Sequence, residues 1–322
     1  MITVLSGGVG AARFLRALMH VVPAAEIAAV VNTGDDTVMH GLSISPDIDT
    51  IMYTLAGAID PERGWGLRDE TWRAMDALAR FVPVRPVGST AALTWFNLGD
   101  QDLATHFYRT ARLAEGATLT EVTAEICRAF GVEIALLPMT DDRVETRLTL
   151  AGDGGREVSF QEYFVQLQHT PAVSAVRCAG AAEAHLSVAA RRALTDAETV
   201  VIAPSNPLVS IAPLRALAGV DALLAGRRES VVAVSPIVGG AALKGPADHM
   251  LSELGHERSV VGVARLYAPI ASALVIDPAD AHLADEVEAA GMRAVVVPSV
   301  MSNVEVSAAL ARTTLAASSA GR

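Results

Sequence analysis

The first residues with evident chemistry form a glycine-rich turn near the start of the chain, Ser6-Gly-Gly-Val-Gly-Ala-Ala-Arg13. Gly7, Gly8 and Gly10 let the backbone turn tightly and approach a phosphate, and a following helix would add free N–H groups and the positive end of its dipole. Arg13 stands where a dinucleotide fingerprint has its third glycine, and the Gly-Lys-Ser/Thr ending of a P-loop is absent. The turn therefore favours a phosphate-bearing ligand over NAD. A tight strand-to-helix turn that binds nothing is the alternative.

Two acidic clusters follow, Asn32-Thr-Gly-Asp-Asp36 and Ser45-Pro-Asp-Ile-Asp-Thr50. Four carboxylates this close in sequence repel one another unless a cation neutralises them, and hard oxygen ligands suit Mg²⁺. Both clusters follow a buried strand, at the sheet edge where open α/β folds bind ligands. They predict a magnesium site. The alternative is that they cap helices and line solvated loops, with Asp49 as the cap of the helix that follows.

Further polar motifs occur at a helix start and at two strand ends. In Leu98-Gly-Asp-Gln-Asp-Leu-Ala-Thr-His106, Asp102 would cap a helix that carries His106 and Arg109 on one face, although a lone histidine is more often structural than catalytic. Two loops at strand ends carry hydroxyl and amide groups that could hydrogen bond to a base or a ribose: Pro204-Ser-Asn-Pro207 and Ser235-Pro-Ile237. Each alone is ordinary turn chemistry.

The elements that must position these residues show a βαβ pattern. A strand at 2–5, the glycine turn, a helix and a second strand at 27–31 predict a parallel sheet with a right-handed crossover. Strand-like runs alternate with helical stretches again from residue 172 onward. The sequence thus predicts an α/β fold, a doubly wound, Rossmann-like and mostly parallel sheet.

Residues 47–130 differ from the rest of the chain, because helical patterns and aromatic side chains dominate there. We expect this segment to be a helical insertion into a nucleotide-binding core formed by residues 1–46 and 131–322. The helices are predicted at 49–59, 69–81, 103–113 and 120–130, the last starting at a Thr120 cap. A hairpin is predicted at 144–160, around the turn Gly152-Asp-Gly-Gly155.

Composition excludes several classes of protein. The formal net charge of −11, with a single lysine among the 25 Lys and Arg residues, argues against nucleic-acid binding. The apolar runs are too short or too interrupted to span a membrane, and no secretion leader is evident, so we expect a cytoplasmic protein. Zinc-binding spacings and serine-nucleophile motifs do not occur in the sequence.

Taken in order, these motifs resemble those of the 2-phospho-L-lactate transferases of deazaflavin coenzyme F-420 biosynthesis. The resemblance runs from Met1 to about Leu315, and the stretch from Met52 to Trp72 looks like the actinobacterial branch of that family. It is carried by the motifs above together with Leu137-Pro-Met-Thr-Asp-Asp142 and Phe160-Gln-Glu162.

The resemblance implies a group transfer. A 2-phospholactyl group, or in the actinobacterial branch a phosphoenolpyruvyl group, would pass from a guanosine diphosphate-activated donor to the ribityl hydroxyl of 7,8-didemethyl-8-hydroxy-5-deazariboflavin (Fo). GMP would leave, Mg²⁺ would be required, and the enzyme would be a homodimer. Such a displacement at phosphorus depends largely on positioning and on neutralisation of charge.

The resemblance also assigns roles to the residues named above. The donor would be bound by the glycine turn, by Asn32 and, around guanosine, by Ser205, Asn206 and Ser235. Asp35 and Asp49 would bind the metal, and Asp49 or Asp47 would act as the base. Fo would contact Asp49, Asp102 and His106, with the aromatic insertion as its apolar wall.

One position departs from the family pattern, because this chain has Gln101 where the family usually has arginine. If that arginine touches an anionic substrate group, Gln101 weakens the contact. The alternative functions are a nucleotide-sugar-binding regulatory protein of the related gluconeogenesis-factor group, and a nicotinamide-dependent oxidoreductase, which Arg13 and the paired aspartates disfavour.

Overall fold

The computed structural model describes residues 1–318, and these form one α/β fold. The strands are β1 (Ile2–Ser6), β2 (Ile27–Val31), β3 (Thr37–Met39), β4 (Leu42–Ile44), β5 (Ala135–Pro138), β6 (Glu145–Leu150), β7 (Glu157–Ser159), β8 (Val173–Ala179), β9 (Thr199–Ile202), β10 (Val231–Val234), β11 (Ile237–Val238), β12 (Ala241–Ala242), β13 (Ala273–Ile276) and β14 (Arg293–Val296). The α-helices are α1 (Gly8–Leu18), α2 (Pro46–Leu55), α3 (Arg73–Leu78), α4 (Asp100–Ala114), α5 (Leu119–Ala129), α6 (Val188–Asp196), α7 (Ala212–Ala216), α8 (Val220–Gly226), α9 (Ala247–Glu253), α10 (Val260–Tyr267), α11 (Ala284–Ala289) and α12 (Val304–Ala316).

Seven parallel strands form the central sheet, in the order β14-β13-β10-β9-β1-β2-β5. Ile2 of β1 pairs with Ile27 of β2 on one side and with Thr199 of β9 on the other. The strand order therefore reverses at β1, and the crevice beyond the carboxyl ends of β1 and β9 is the topological switch point where such folds bind ligands. The predicted doubly wound, mostly parallel sheet is confirmed.

Apolar side chains cover both faces of this sheet, as expected for parallel strands. One cluster packs α1, α2, α5 and α12 against one face, with Phe14, Leu15 and Met52 fully buried. A second cluster packs α6, α8 and α10 against the other face. The two layers fix where each strand ends, and so where the polar loops meet.

A small antiparallel sheet, β7-β6-β8, lies apart from the central one. The predicted hairpin is confirmed as β6 and β7. The strand predicted at 172–178 does form, but it pairs antiparallel with β6 and does not join the parallel series. Its mostly exposed or half-buried residues explain the difference, since a strand of the parallel sheet is covered on both faces.

The four helices predicted between β2 and β5 are present, with shifted ends. α2 begins at Pro46 after the Ser45 cap position, and α5 is capped by Thr118, whose capping box with Glu121 replaces the predicted Thr120 cap. α2 packs on α1 and α5 packs on β5, so both contribute to the core. A short hairpin, β3–β4, precedes α2 and has no clear signal in the sequence.

No single helix in residues 1–318 is long and apolar enough to cross a membrane. Two helical segments, Pro207–Ala216 and Val220–Gly226, are long and apolar enough only when taken together. They are bent by 94° relative to each other.

Candidate functional site

The glycine turn begins α1 at the switch point, where backbone and side chains pack too closely for larger residues. A Cβ on Gly10 would lie 2.1 Å from the carbonyl oxygen of Pro204, and Gly8 has a φ of +67°, which disfavours a side chain. Ser205 donates a hydrogen bond of 2.8 Å to the carbonyl of Gly7. The loop after β9 therefore holds the turn directly, and phosphate binding by the turn stays a prediction.

Asp47 lies against this turn. Asn32, fully buried, donates to Oδ2 of Asp47 at 3.0 Å and accepts the N–H of Gly34 at 2.8 Å. A Cβ on Gly7 would lie 2.9 Å from Oδ2 of Asp47, so this carboxylate packs against the turn. Burial raises the pKa of Asp47 to about 6, although Asn32 and the backbone of Gly8 favour its charged form. Asn32 thus joins Asp47 to the loop after β2, and its predicted binding of the donor stays a prediction.

Asp35, which is buried, and Asp36, which is half-buried, add two more carboxyl groups. Burial raises the pKa of both well above the usual range, and the charge of Asp47 raises that of Asp35 further. Ser45 donates to Oδ2 of Asp36 at 2.7 Å, but Oδ1 of each residue is buried without a hydrogen-bond partner. Unpaired, mutually repelling carboxylate oxygens are a donor set suited to a divalent cation.

Asp49, in contrast, is already neutralised. Arg109 of α4 donates to both its carboxylate oxygens, with 3.1 Å between Nη1 and Oδ2. Asp49 and Arg109 are both buried, at 5% and 1% exposure. The sequence placed Arg109 on the helix face of His106 but gave it no role. That spacing was the only signal, because the pairing spans 60 residues.

His106 and Asp102 extend the same buried network. Nδ1 of His106 lies 3.1 Å from Nη1 of Arg109, and its Nε2 lies 3.2 Å from Oδ2 of Asp102. Tyr53 of α2 donates to Asp102 at 2.7 Å. Although burial opposes its ionisation, the hydrogen bond and charge of His106 lower the pKa of Asp102.

Asp102 is therefore not the predicted helix cap. The N-cap of α4 is Gly99, and Asp102 lies within the first turn. His106 is 1% exposed and Asp102 is 8% exposed. Both have buried partners, Arg109 for His106 and Tyr53 for Asp102, and their predicted contact with Fo stays a prediction.

Two groups of side chains could thus hold a metal. Ligand atoms of Asp49, Asp102 and His106 all lie within 4.8 Å of one another, but the Arg109 guanidinium already supplies a positive charge there. Asp35 and Asp36 have no ion pair among the described residues. Asp35 and Asp36 keep unpaired oxygens suited to Mg²⁺, but among the described residues it is the first group that brings three ligand atoms together, and the charge of Arg109 also favours the ionised form of Asp36.

The side chains predicted to surround guanosine mainly shape their own loops. Ser235 donates to the carbonyl of Ile237 at 3.0 Å and accepts its N–H at 3.1 Å. Asn206 accepts the N–H of Leu208 at 2.9 Å, and its Nδ2 lies 3.6 Å from the sulfur of Met250. The loops do lie at the carboxyl ends of β9 and β10, as predicted.

The aromatic residues of the 47–130 segment divide into core and surface groups. Trp65, 43% exposed, lies 5.7 Å from Trp72, and the Arg63 guanidinium lies 5.4 Å and 5.0 Å from their ring centres. Tyr53 packs on Phe130 inside the core.

Gln101, the departure from the family pattern, is exposed on the first turn of α4. Its amide donates to the carbonyl of Arg68 at 3.1 Å. It therefore ties α4 to the loop that carries Trp65 and Trp72.

Fold and site together define an α/β protein with a glycine turn at the switch point of its sheet, next to a cluster of buried and half-buried carboxyl groups. The chain belongs to the 2-phospho-L-lactate transferase (CofD) family, whose model matches residues 2–314. It is by family a transferase.

The chain is similar over nearly its whole length to curated relatives. It is 42% identical to the phosphoenolpyruvate transferase of Streptomyces griseus over 316 residues, which cover 98% of this chain and 97% of the relative. It is 37% identical to the enzyme of that name from Mycobacterium bovis, over 97% of this chain and 96% of the relative.

A solved structure, a UPF0052 family member from Bacillus halodurans, shares the fold. Its TM-score is 0.59 at 14% identity, covering 96% of this chain and 97% of that one.

Proposed function

We propose that this protein transfers a phosphoenolpyruvyl or 2-phospholactyl group from a guanosine diphosphate-activated donor to the ribityl hydroxyl of Fo, releasing GMP, in coenzyme F-420 biosynthesis. The near full-length similarity to phosphoenolpyruvate transferases supports the reaction class and favours the phosphoenolpyruvyl donor. We further propose that it acts in the cytoplasm as a homodimer.

The observation that carries the proposal is the contact between Asp47 and the glycine turn. The Asp47 carboxylate packs against Gly7 and Gly8, where a donor phosphate would approach, and its charge acts on Asp35. Phosphate and carboxylates can share this place only if a cation lies between them.

We assign the cation to Asp35 and Asp36, through their unpaired Oδ1 atoms. Mg²⁺ would neutralise charge on the donor's phosphates when bound. Asp49, the other metal ligand suggested by the family resemblance, is less suited because Arg109 binds both of its oxygens.

Asp47 is the better candidate for the base that accepts the proton of the ribityl hydroxyl. Its pKa of about 6 lies close to neutrality, where a general base is most effective. Asp49, Asp102 and His106 then position α4 against α2 on the acceptor side, and the Trp65–Trp72 pair offers an apolar surface for the deazaflavin ring.

Mass spectrometry tests the donor most simply. The protein is incubated with Fo, Mg²⁺ and either guanylylated phosphoenolpyruvate or guanylylated 2-phospholactate. The molecular mass of the Fo adduct is then measured. We expect the phosphoenolpyruvyl adduct to form faster. Formation of neither adduct would overturn the proposal.

A further inference from the structure

We propose that Thr146 belongs to the cation site, its hydroxyl supplying an oxygen beside Asp35, and that the β7-β6-β8 sheet holds the Asp35 loop in place for it. The inference rests on the proposed function only for the position of the cation. Neither the family resemblance nor the comparisons assign a role to this residue or to this sheet.

The first observation is an unsatisfied hydroxyl. Thr146 of β6 is fully buried, and its Oγ1 has no hydrogen-bond partner. Leaving such a group unpaired costs roughly 1–3 kcal/mol, whereas valine has the same shape and suits a buried strand. A hydroxyl retained at this position is explained if something absent from the ligand-free protein binds it.

The second observation is where that hydroxyl lies. The N–H of Thr146 donates to the carbonyl of Gly34 at 2.7 Å. A Cβ on Gly34 would lie 2.7 Å from Oγ1 of Thr146 and 3.0 Å from Oδ1 of Asn32, so the hydroxyl packs directly on the loop between Asn32 and Asp35. It lies close enough to the Asp35 carboxyl to favour the charged form and lower its pKa, but no hydrogen bond of ordinary geometry joins the two groups, and Oδ1 of Asp35 is likewise buried and unpaired. Two unpaired oxygens therefore lie beside one loop.

The third observation is a second contact from the same sheet. Gln161, 5% exposed and just beyond β7, donates to the carbonyl of Asp35 at 3.2 Å. Thr146 and Gln161 thus bind two consecutive carbonyls of the loop, those of Gly34 and Asp35. This explains what the Phe160-Gln-Glu motif does, which the transfer chemistry alone leaves unexplained.

The test measures binding of Mn²⁺ alone, with no donor and no Fo, by the electron paramagnetic resonance signal of the free ion. Thr146→Val should weaken Mn²⁺ affinity about 10-fold to 100-fold, the loss typical of groups that complete or orient a metal site. Thr146→Ser, which restores the hydroxyl, should bind nearly as the natural protein does. The control is Thr149→Val, on the opposite face of the same strand, which should change nothing.

Asp35→Asn distinguishes an error in the role of Thr146 from an error in the position of the cation site. Loss of affinity in Asp35→Asn with unchanged affinity in Thr146→Val would overturn the role of Thr146 alone. Unchanged affinity in Asp35→Asn would overturn the proposed cation site itself. Should Thr146→Val fail to fold, Gln161→Met provides the second measurement, and unchanged Mn²⁺ affinity in that variant would contradict the role of the sheet.

Discussion

Arg109 of α4 holds both carboxylate oxygens of Asp49 on α2, and neither residue is more than 5% exposed. This ion pair therefore joins α4 to α2. It also neutralises one of the four clustered aspartates, whereas Asp35, Asp36 and Asp47 have no ion pair among residues 1–318.

Replacing Arg109 by methionine should destabilise the protein strongly, because the Asp49 charge would remain buried without a partner. Breaking a buried ion pair in this way costs about 3–5 kcal/mol. The free energy of unfolding, from urea titration, measures the loss. The control is Arg112→Met on the same helix, whose partners Glu115 and Glu125 lie nearer the surface and which should cost much less, because solvent screens an exposed ion pair. Equal losses in the two variants would contradict the importance of burial.

Asp35→Asn and Asp49→Asn should have opposite effects on stability at pH 8 in EDTA. The raised pKa of Asp35 means that its ionised form is less stable in the folded protein than in the unfolded chain, so stability falls as pH rises from the unfolded to the folded pKa. A neutral asparagine removes that cost, and the melting temperature should rise. Asp49→Asn leaves Arg109 unpaired and should lower it.

Magnesium then distinguishes the roles of these two residues. Added Mg²⁺ should raise the melting temperature of the natural protein and of Asp49→Asn, but not of Asp35→Asn, because binding to the folded state stabilises it. A magnesium-dependent rise in Asp35→Asn equal to that of the natural protein would refute the metal assignment.

Gly10→Ala should impair folding or donor binding even though alanine favours helices. Its Cβ would lie 2.1 Å from the carbonyl oxygen of Pro204, so the turn or the loop after β9 must move. Gly226→Ala, also within a helix but with open space at the Cβ position, should leave stability unchanged or increase it by about 0.5–1 kcal/mol. Thermal melting and calorimetric titration with GDP measure the two effects. If Gly10→Ala has the melting temperature and the GDP affinity of the natural protein, the close packing at this turn is contradicted.

Fo should quench tryptophan fluorescence through Trp65 and Trp72. The chain has three tryptophans, so each can be replaced by phenylalanine in turn. Quenching should fall in Trp65→Phe and Trp72→Phe and persist in Trp95→Phe, because Trp95 packs on Phe96 in a separate apolar cluster. GDP should quench less than Fo does. A loss confined to Trp95→Phe would place the deazaflavin elsewhere.

The elements that local sequence determines were predictable. The βαβ unit, the glycine turn and the β6–β7 hairpin follow from hydrophobic period and turn residues over short stretches. Contacts between residues far apart in the sequence were not predictable. The hydrophobic period of β8 does not indicate that β6 is its partner, and the spacing of Asp49 and Arg109 does not indicate that they form an ion pair. The boundary of the insertion at 47–130 stays a prediction, although α2 and α5 share the core.

In the site, sequence identified the acidic residues but not which of them are already neutralised. That distinction depends on Arg109, which reaches Asp49 only through the packing of α4 near the β3–β4 hairpin. Likewise Ser205 and Ser235 lie at the expected strand ends, but their hydroxyls bind backbone groups.

The most direct test of group transfer is to follow GMP and the Fo adduct together over time. The protein is supplied with guanylylated phosphoenolpyruvate and Mg²⁺, with and without Fo, and both products are quantified by chromatography and mass. We expect equal amounts of GMP and adduct, and neither product without Fo or in EDTA. Release of GMP without adduct would indicate a hydrolase, and donor binding without any turnover would indicate a nucleotide-binding regulator; either result would contradict the transfer proposed for this protein.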